Sequence, residues 1–240
     1  MNTYYICYYK SPLIKNTNFT ISPAAQQKAE YIIAKLEQTE KKYVVVNLAS
    51  YASSRGLYPL LHTELRKYGT YVVWKSFGRP NKVAGKAHYF FRRFQLEHFL
   101  SCLKKNDLVI AYHSLQTADI FYKYKKKINF RFILELEEIY QDVVPCGKAK
   151  ATWERKVISS ADGYILAAEV LSKQIPAGRP YIVINGTYKV EPVRNVSFSD
   201  NKIHCVYAGT FDSSKGGAVA AAAAAAFLPE KYHIHILGFG

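Results

Sequence analysis

The residues best placed to do chemistry lie near the end of the chain. An apolar run, Ile203–Ala208, leads into Gly209-Thr210-Phe211-Asp212-Ser213-Ser214-Lys215-Gly216, and a second apolar run from His233 ends in Gly238-Phe239-Gly240. A glycine at the end of a strand lets a ligand approach the backbone. A lysine at the start of the next helix adds a cation to the free N–H groups of the helix N-terminus. Together they suit a phosphate or diphosphate. An ordinary β-α turn with a solvated lysine explains the same residues. The Gly-Lys-Ser/Thr ending of a P-loop and the Gly-x-Gly-x-x-Gly fingerprint are both missing here.

Three further groups stand out. Glu135, Glu137 and Glu138 close an apolar run, Phe130–Leu136, at the carboxyl end of a predicted strand, where open α/β sheets bind ligands. Glu137 can orient a hydroxyl or act as a base; the plainer reading is a solvated acidic turn facing the lysines of Lys123–Lys127. His113 ends the run Asp107–Tyr112 and is a candidate for the same edge, although a lone histidine is more often structural. The stretch from Lys82 to Arg93 mixes Lys82, Lys86, Arg92 and Arg93 with Tyr89, Phe90, Phe91 and Phe94. Such a helix can lie on an anionic bilayer, rings in the interface and cations at the headgroups. It can also stack on nucleic acid, the least favoured option, or be an amphipathic core helix with basic outer residues.

Composition frames these candidates. The chain has 240 residues, 49% of them hydrophobic and 15% aromatic, enough for one large domain or two small ones and too apolar for disorder. The net charge of +15 favours anionic partners: membrane faces, nucleic acid or phosphorylated substrates. The four cysteines, Cys7, Cys102, Cys146 and Cys205, form no Cys-x-x-Cys pair, and no Asp-x-Asp is found, so no metal or cofactor is expected. Free thiols fit a reducing, cytoplasmic setting. Met1–Tyr9 lacks the features of a signal peptide, and no apolar run approaches the ~20 residues of a membrane span.

The elements that must position these residues alternate between strand and helix. Strands are expected at Tyr4–Tyr8, Tyr43–Leu48, Thr70–Trp74, Asp107–Tyr112, Phe130–Leu136, Gly163–Leu166 and Tyr181–Ile184. Helices are expected at Pro23–Lys41, Leu57–Tyr68, His88–Lys104, from Gln116, and at Thr152–Ser160, with a turn-rich stretch over Lys75–Lys86. The alternation predicts a doubly wound, Rossmann-like parallel sheet. The turn-forming stretch 187–201 reads as a linker between a domain over residues 1–186 and a β-α-β unit over 202–240, whose helix is the run Ala220–Ala226.

The segment Val206-Tyr-Ala-Gly-Thr-Phe-Asp-Ser-Ser-Lys-Gly resembles the opening of the C-terminal domain of family 4 glycosyltransferases. Tyr181-Ile-Val-Ile-Asn-Gly, the helix and strand from Trp153-Glu154 to Ala161-Asp162-Gly163-Tyr164-Ile165, and the strand ending in Gly238-Phe239-Gly240 resemble that family's neighbouring motifs in the same order. Before residue 150 the likeness is architectural. The resemblance implies a GT-B fold of two Rossmann-like domains, with the sequence breaking off early in the second. It implies transfer of a sugar from a nucleotide-sugar donor, usually with retention, to a sugar, polysaccharide or lipid-linked acceptor at the inner membrane face. Gly209, Thr210, Lys215 and Gly216 would hold the donor diphosphate, with Gly238 and Gly240 in the adjoining glycine loop. Lys215 matches the family's loop lysine, whose charge offsets that of the leaving diphosphate. Thr210 stands where the family has arginine, and the family's Glu-x7-Glu pair, which binds the donor sugar and ribose, would fall beyond residue 240. The first puts full catalytic competence in doubt, and the second implies that this stretch alone does not catalyse transfer. Glu137 and His113 are the catalytic candidates. Two other readings remain: a basic nucleic-acid- or membrane-binding module without catalysis, and a GT-B-like sugar-nucleotide epimerase.

Overall fold

The computed structural model describes the chain except for residues 15–18, 20, 50, 52–54, 144–145, 187–191, 193–196, 212–215 and 240, and the side chains of residues 143, 210 and 239. It divides into two compact units, Met1–Lys189 and Val190–Gly240.

In chain order the first unit contains β1 (Thr3–Cys7), α1 (Pro23–Glu37), β2 (Tyr43–Asn47), β3 (Leu57–Tyr58), β4 (Leu61–Glu64), β5 (Gly69–Val73), β6 (Ser76–Phe77) and α2 (Lys82–Ser101). There follow β7 (Leu108–Tyr112), α3 (Ala118–Ile128), β8 (Arg131–Leu136), α4 (Tyr140–Val143), α5 (Lys148–Ser160), β9 (Gly163–Leu166), a 3-10 turn (Glu169–Gln174) and β10 (Tyr181–Val183). Eight of these strands form one sheet in the order β10-β9-β8-β7-β1-β2-β5-β4. All neighbours are parallel except β4, which runs antiparallel to β5. The direction of winding reverses at β1, so a crevice opens beyond the carboxyl ends of β1 and β7.

Alternation along each strand supplies both faces with apolar side chains, as a parallel sheet requires. Tyr5, Val45, Tyr71 and Ile110 pack with Ala29, Ile32 and Ile33 of α1. Ile6, Val46, Phe132 and Leu134 face the other way, onto Leu96 and Leu100 of α2, Phe121 of α3 and Val157 of α5. Each such side chain, fully buried, contributes about 2 kcal/mol. The helix starts follow local chemistry. Ser22 Oγ accepts from Ala25 N at 3.2 Å ahead of Pro23, and Asn81 Oδ1 accepts from Ala84 N at 2.9 Å.

Two expected elements differ. The helix predicted over Leu57–Tyr68 is instead β3 and β4, the latter closing on β5 through Leu65 N to Gly69 O at 2.9 Å. Leu61–Glu64 alternates half-buried and exposed side chains and pairs with the edge of the sheet at β5, a tertiary pairing that overrides the helical pattern. The helix expected from His88 begins six residues earlier at Lys82, because Asn81 caps it there.

In the second unit, β11 (Ile203–Thr210) and β12 (Tyr232–Phe239) pair in parallel, and α6 (Gly217–Ala225) connects them and packs on both. Alanine favours the helix. None of this unit's described residues is fully buried.

Candidate functional site

Three cavities lie at the carboxyl edge of the large sheet. The largest, about 400 Å³, occupies the crevice itself, between Tyr8 after β1, Ser22 and Ala25 at the start of α1, Tyr112 and Ser114 after β7, and Lys150 of α5. The chain's reversal at β1 creates it. Tyr8 and Tyr112 meet edge to face at 5.3 Å and form its floor.

On the β8 side, a cavity of about 190 Å³ is bounded by Lys28, Glu137, Ala167 and the Asn185-Gly186 turn. Glu137 is ion-paired with the buried Lys28 of α1. Behind it Glu135, 1% exposed, accepts a hydrogen bond from Tyr5 Oη at 2.8 Å. Burial, and then the negative charge of Glu137, push the Glu135 carboxyl up to about 7, with Lys28 opposing. Burial and the charge of Glu135 also raise the Cys7 thiol well above its ordinary value. The arrangement favours a proton on Glu135, while Lys28 and Glu137 are held together as an ion pair.

The third cavity, about 210 Å³, lies on the β2 side, lined by Tyr8, Arg79, His88, Tyr89, Arg92 and Arg93 among others. Arg92 donates to the Asn47 carbonyl at 3.0 Å and sits 5.4 Å over the Trp74 ring. Burial pushes its guanidinium down to about 10. Arg79 donates to the Tyr51 carbonyl at 3.2 Å. Arg93 differs: it is ion-paired with Asp119, 2.5 Å away, and donates to the Gln116 carbonyl at 2.6 Å. His88 bonds Ser76 Oγ at 2.9 Å; burial, then Arg92 and Arg79, push it down to about 4, so it is neutral.

His113 does not reach the crevice. It is 1% exposed, its ring packs on Tyr140 at 5.2 Å, and Nε2 is 3.5 Å from the fully buried Glu154. Burial holds it near 4, neutral, in a structural position. Arg92 and Arg93 do not lie on the outer face with Lys82 and Lys86; they turn inward to the third cavity. The outward face of α2 keeps Lys82 and Lys86, exposed, beside Val83, Phe90 and Phe94, which are 77%, 65% and 68% exposed. No helix among the described residues is long and apolar enough to cross a membrane.

In the second unit, Gly209 and Gly238 sit opposite each other at the ends of β11 and β12. A Cβ on Gly238 would collide with the Gly209 carbonyl, so the strands' ends meet as bare backbone. Gly216 has φ +64° at the N-cap of α6, a conformation glycine adopts without strain. Lys215, Gly240 and the side chain of Thr210 lie outside the described residues.

Several residues of the site escaped sequence reasoning. Lys28 looks like one more helix lysine, and Glu154 is a solitary acid on an amphipathic helix, yet its carboxylate accepts from Tyr140 N and Gln141 N at 2.7 and 3.1 Å and ties α4 to α5. Arg79 had one signal, its place in a Gly-Arg-Pro turn.

No protein-family profile and no curated protein matches the chain. Solved structures do. A trehalose-6-phosphate protein from E. coli bound with UDP-2-fluoro glucose matches 100% of this chain at TM-score 0.60 and 11% identity. An α,α-trehalose-phosphate synthase (UDP-forming) from Burkholderia vietnamiensis matches 99% at 0.54 and 9%. UGT89C1 of Arabidopsis thaliana, complexed with UDP-L-rhamnose, matches 98% at 0.51 and 10%. The chain spans 65%, 63% and 69% of those proteins' lengths, respectively. The likeness shows the fold: a mixed α/β chain with a large parallel sheet, of the Rossmann-like GT-B class.

Proposed function

We propose that this protein is a glycosyltransferase that moves a sugar from a nucleotide-sugar donor, a UDP-sugar in the first instance, to an acceptor held at the edge of the large sheet. The observation that carries the reading is the crevice of about 400 Å³ at the point where the winding reverses, the place where open α/β sheets bind ligands. It occurs in a chain whose whole length matches structures with bound UDP-sugars. The motif order from Trp153 to Gly238 supports a family 4 member acting with retention, with residues 1–186 on the acceptor side and 202–240 opening the donor domain.

In this reading the close backbone approach of Gly209 and Gly238, and the start of α6 at Gly216, receive the donor diphosphate. Lys215 offsets the charge that develops as the glycosidic bond breaks, and no metal is required. Glu137, fixed in place by its ion pair with Lys28, orients an acceptor hydroxyl. The exposed stripe of Val83, Phe90 and Phe94 flanked by Lys82 and Lys86 supports peripheral contact with an anionic membrane face, where lipid-linked acceptors reside.

The test is nucleotide-sugar binding by calorimetry, with transfer and hydrolysis assays on this chain and on a longer form of it. UDP-sugar binding that weakens in Lys215→Ala supports the reading. No binding or turnover with any common nucleotide sugar, together with an unchanged Lys215→Ala, overturns it. Phe90→Ser with Phe94→Ser is expected to abolish sedimentation with anionic liposomes; if sedimentation persists, the membrane assignment fails.

A further inference from the structure

Among the described residues, neither Arg79 nor Arg92 has a carboxylate partner, although both line the same cavity. Each donates instead to a backbone carbonyl, of Tyr51 and Asn47 respectively. A guanidinium has five donors, so one such bond leaves most of its hydrogen-bonding capacity and all of its charge unmatched. Arg92 is partly buried, and such arginines are usually paired with acids, as its neighbour Arg93 on α2 is with Asp119; Arg79 stands exposed at the cavity's rim. His88, between them, is neutral and adds no charge of its own. Tyr8 and Tyr89 add hydroxyl-bearing rings to the wall. At about 210 Å³ the cavity is smaller than the ~300–1,000 Å³ typical of sites for whole small-molecule ligands, so it suits a headgroup rather than a nucleotide.

We propose that this cavity is a phosphate subsite, in which Arg79 and Arg92 bind the phosphomonoester of a phosphorylated acceptor. Two unpaired guanidiniums match a dianion better than a single carboxylate, and their planar forks suit phosphate oxygens. The cavity shares Tyr8 and Gln116 with the crevice beside it, so a phosphate bound there places its carrier toward the crevice. The role as acceptor rests on the glycosyltransferase reading; the phosphate site does not. The phosphate arises either from a free sugar phosphate or from a lipid phosphate.

Trp74 reports on the site directly, because Arg92 lies over its ring. The chain has two tryptophans, so Trp153→Phe leaves Trp74 as the sole tryptophan, excited at the red edge where the tyrosines do not absorb. In that background a hexose phosphate, a hexuronate, the free hexose and a short-chain isoprenoid phosphate are titrated at matched ionic strength without any donor. A saturable Trp74 change is expected with a phosphate compound and not with the free hexose. Arg79→Gln and Arg92→Gln are each expected to weaken it by about tenfold or more, the loss of a charge-assisted hydrogen bond. Lys105→Gln, exposed ahead of β7 at the opposite end of the sheet, is expected to leave it unchanged. Tighter binding of the hexose phosphate identifies a free sugar phosphate; tighter binding of the isoprenoid phosphate identifies a lipid source. If Arg92→Gln fails to fold, the exposed Arg79 decides the matter. The proposal is overturned if no phosphate compound gives a saturable change, if the arginine variants bind as well as their parent, or if the hexuronate binds more tightly than both phosphates. Phosphate binding here, with no nucleotide-sugar binding or turnover in either this chain or its longer form and with Lys215→Ala unchanged, refutes the glycosyltransferase reading and leaves the subsite standing.

Discussion

The two sides of the sheet's carboxyl edge handle charge in opposite ways. Beyond β8 the acids are closed on themselves: Lys28 pairs Glu137, and Tyr5 donates to Glu135. Beyond β2 the cations Arg79 and Arg92 meet carbonyls, the face of Trp74 and a cavity, and no carboxylate among the described residues. A closed network holds geometry and resists change. An open one is available for a ligand's charge. The contrast assigns positioning to the acidic side and recognition to the cationic side, within one edge built by one topology.

The most damaging test of that contrast is to open the closed side. Lys28→Met leaves Glu137 unpaired beside Glu135, and is expected to cost about 2–3 kcal/mol, less than the ~3–5 of a fully buried pair because Glu137 is partly exposed. Arg79→Gln removes an exposed side chain with no ion pair and is expected to stay within about 0.5 kcal/mol. Urea unfolding at pH 7.5 compares the two. If Arg79→Gln costs as much as Lys28→Met, the cationic side is structural too.

Titration separates the two sides next. His88 is held near 4, below its ordinary 6.5, so the unfolded chain takes up that proton first. Its contribution is present above pH 6.5 and is lost as pH falls toward 4, on the order of 3 kcal/mol at most. His113, held near 4 by burial, acts in the same direction. Glu135 is held near 7, above its ordinary 4.5, so the folded chain keeps that proton longer. Its contribution is present below pH 4.5 and is lost as pH rises toward 7. Unfolding midpoints from pH 4 to 8 are therefore expected to lose part of their acid-side fall in His88→Gln. In Glu135→Gln the decline between pH 4.5 and 7 is expected to disappear. A Glu135→Gln profile that parallels the parent's shows that the carboxyl is not holding a proton there.

The sequence reveals the sheet far better than the charge pattern on its edge. The apolar alternation of Tyr4–Tyr8, Tyr43–Leu48 and Phe130–Leu136 is a local property, and the strands form where that alternation lies. The expected helix at Leu57–Tyr68 is an error of the same local reasoning, because β4 forms through its pairing with β5 rather than from local preference. Which cations are neutralised depends on contacts far apart in sequence. Arg92 and Arg93 are neighbours on α2, yet a turn of about 100° separates their side chains; one reaches Asn47 and the other Asp119. Lys28 meets Glu137 across 109 positions. His113 looked catalytic because strand ends often are, but only the packing of Tyr140 and Glu154 shows that its ring is sealed in.

A small expected effect makes the sharpest comparison, because it turns on those two neighbouring arginines. Asp119 is the acidic residue in the first turn of α3, where the helix N-terminus stabilises its charge without help from Arg93. Arg93→Gln is therefore expected to cost under about 1 kcal/mol, as for partly exposed pairs generally. It is also expected to change phosphate binding in the adjoining cavity little, since Asp119 already offsets its charge. Asp119→Asn does the reverse: it leaves Arg93 as a third unmatched guanidinium on the cavity wall. Phosphate binding read at Trp74 is then expected to tighten by about threefold at low salt, and the gain to shrink as salt is added. If Asp119→Asn weakens binding instead, Asp119 positions Arg93 for the ligand rather than offsetting its charge, and the division between an open and a closed side has to be redrawn within α2 itself.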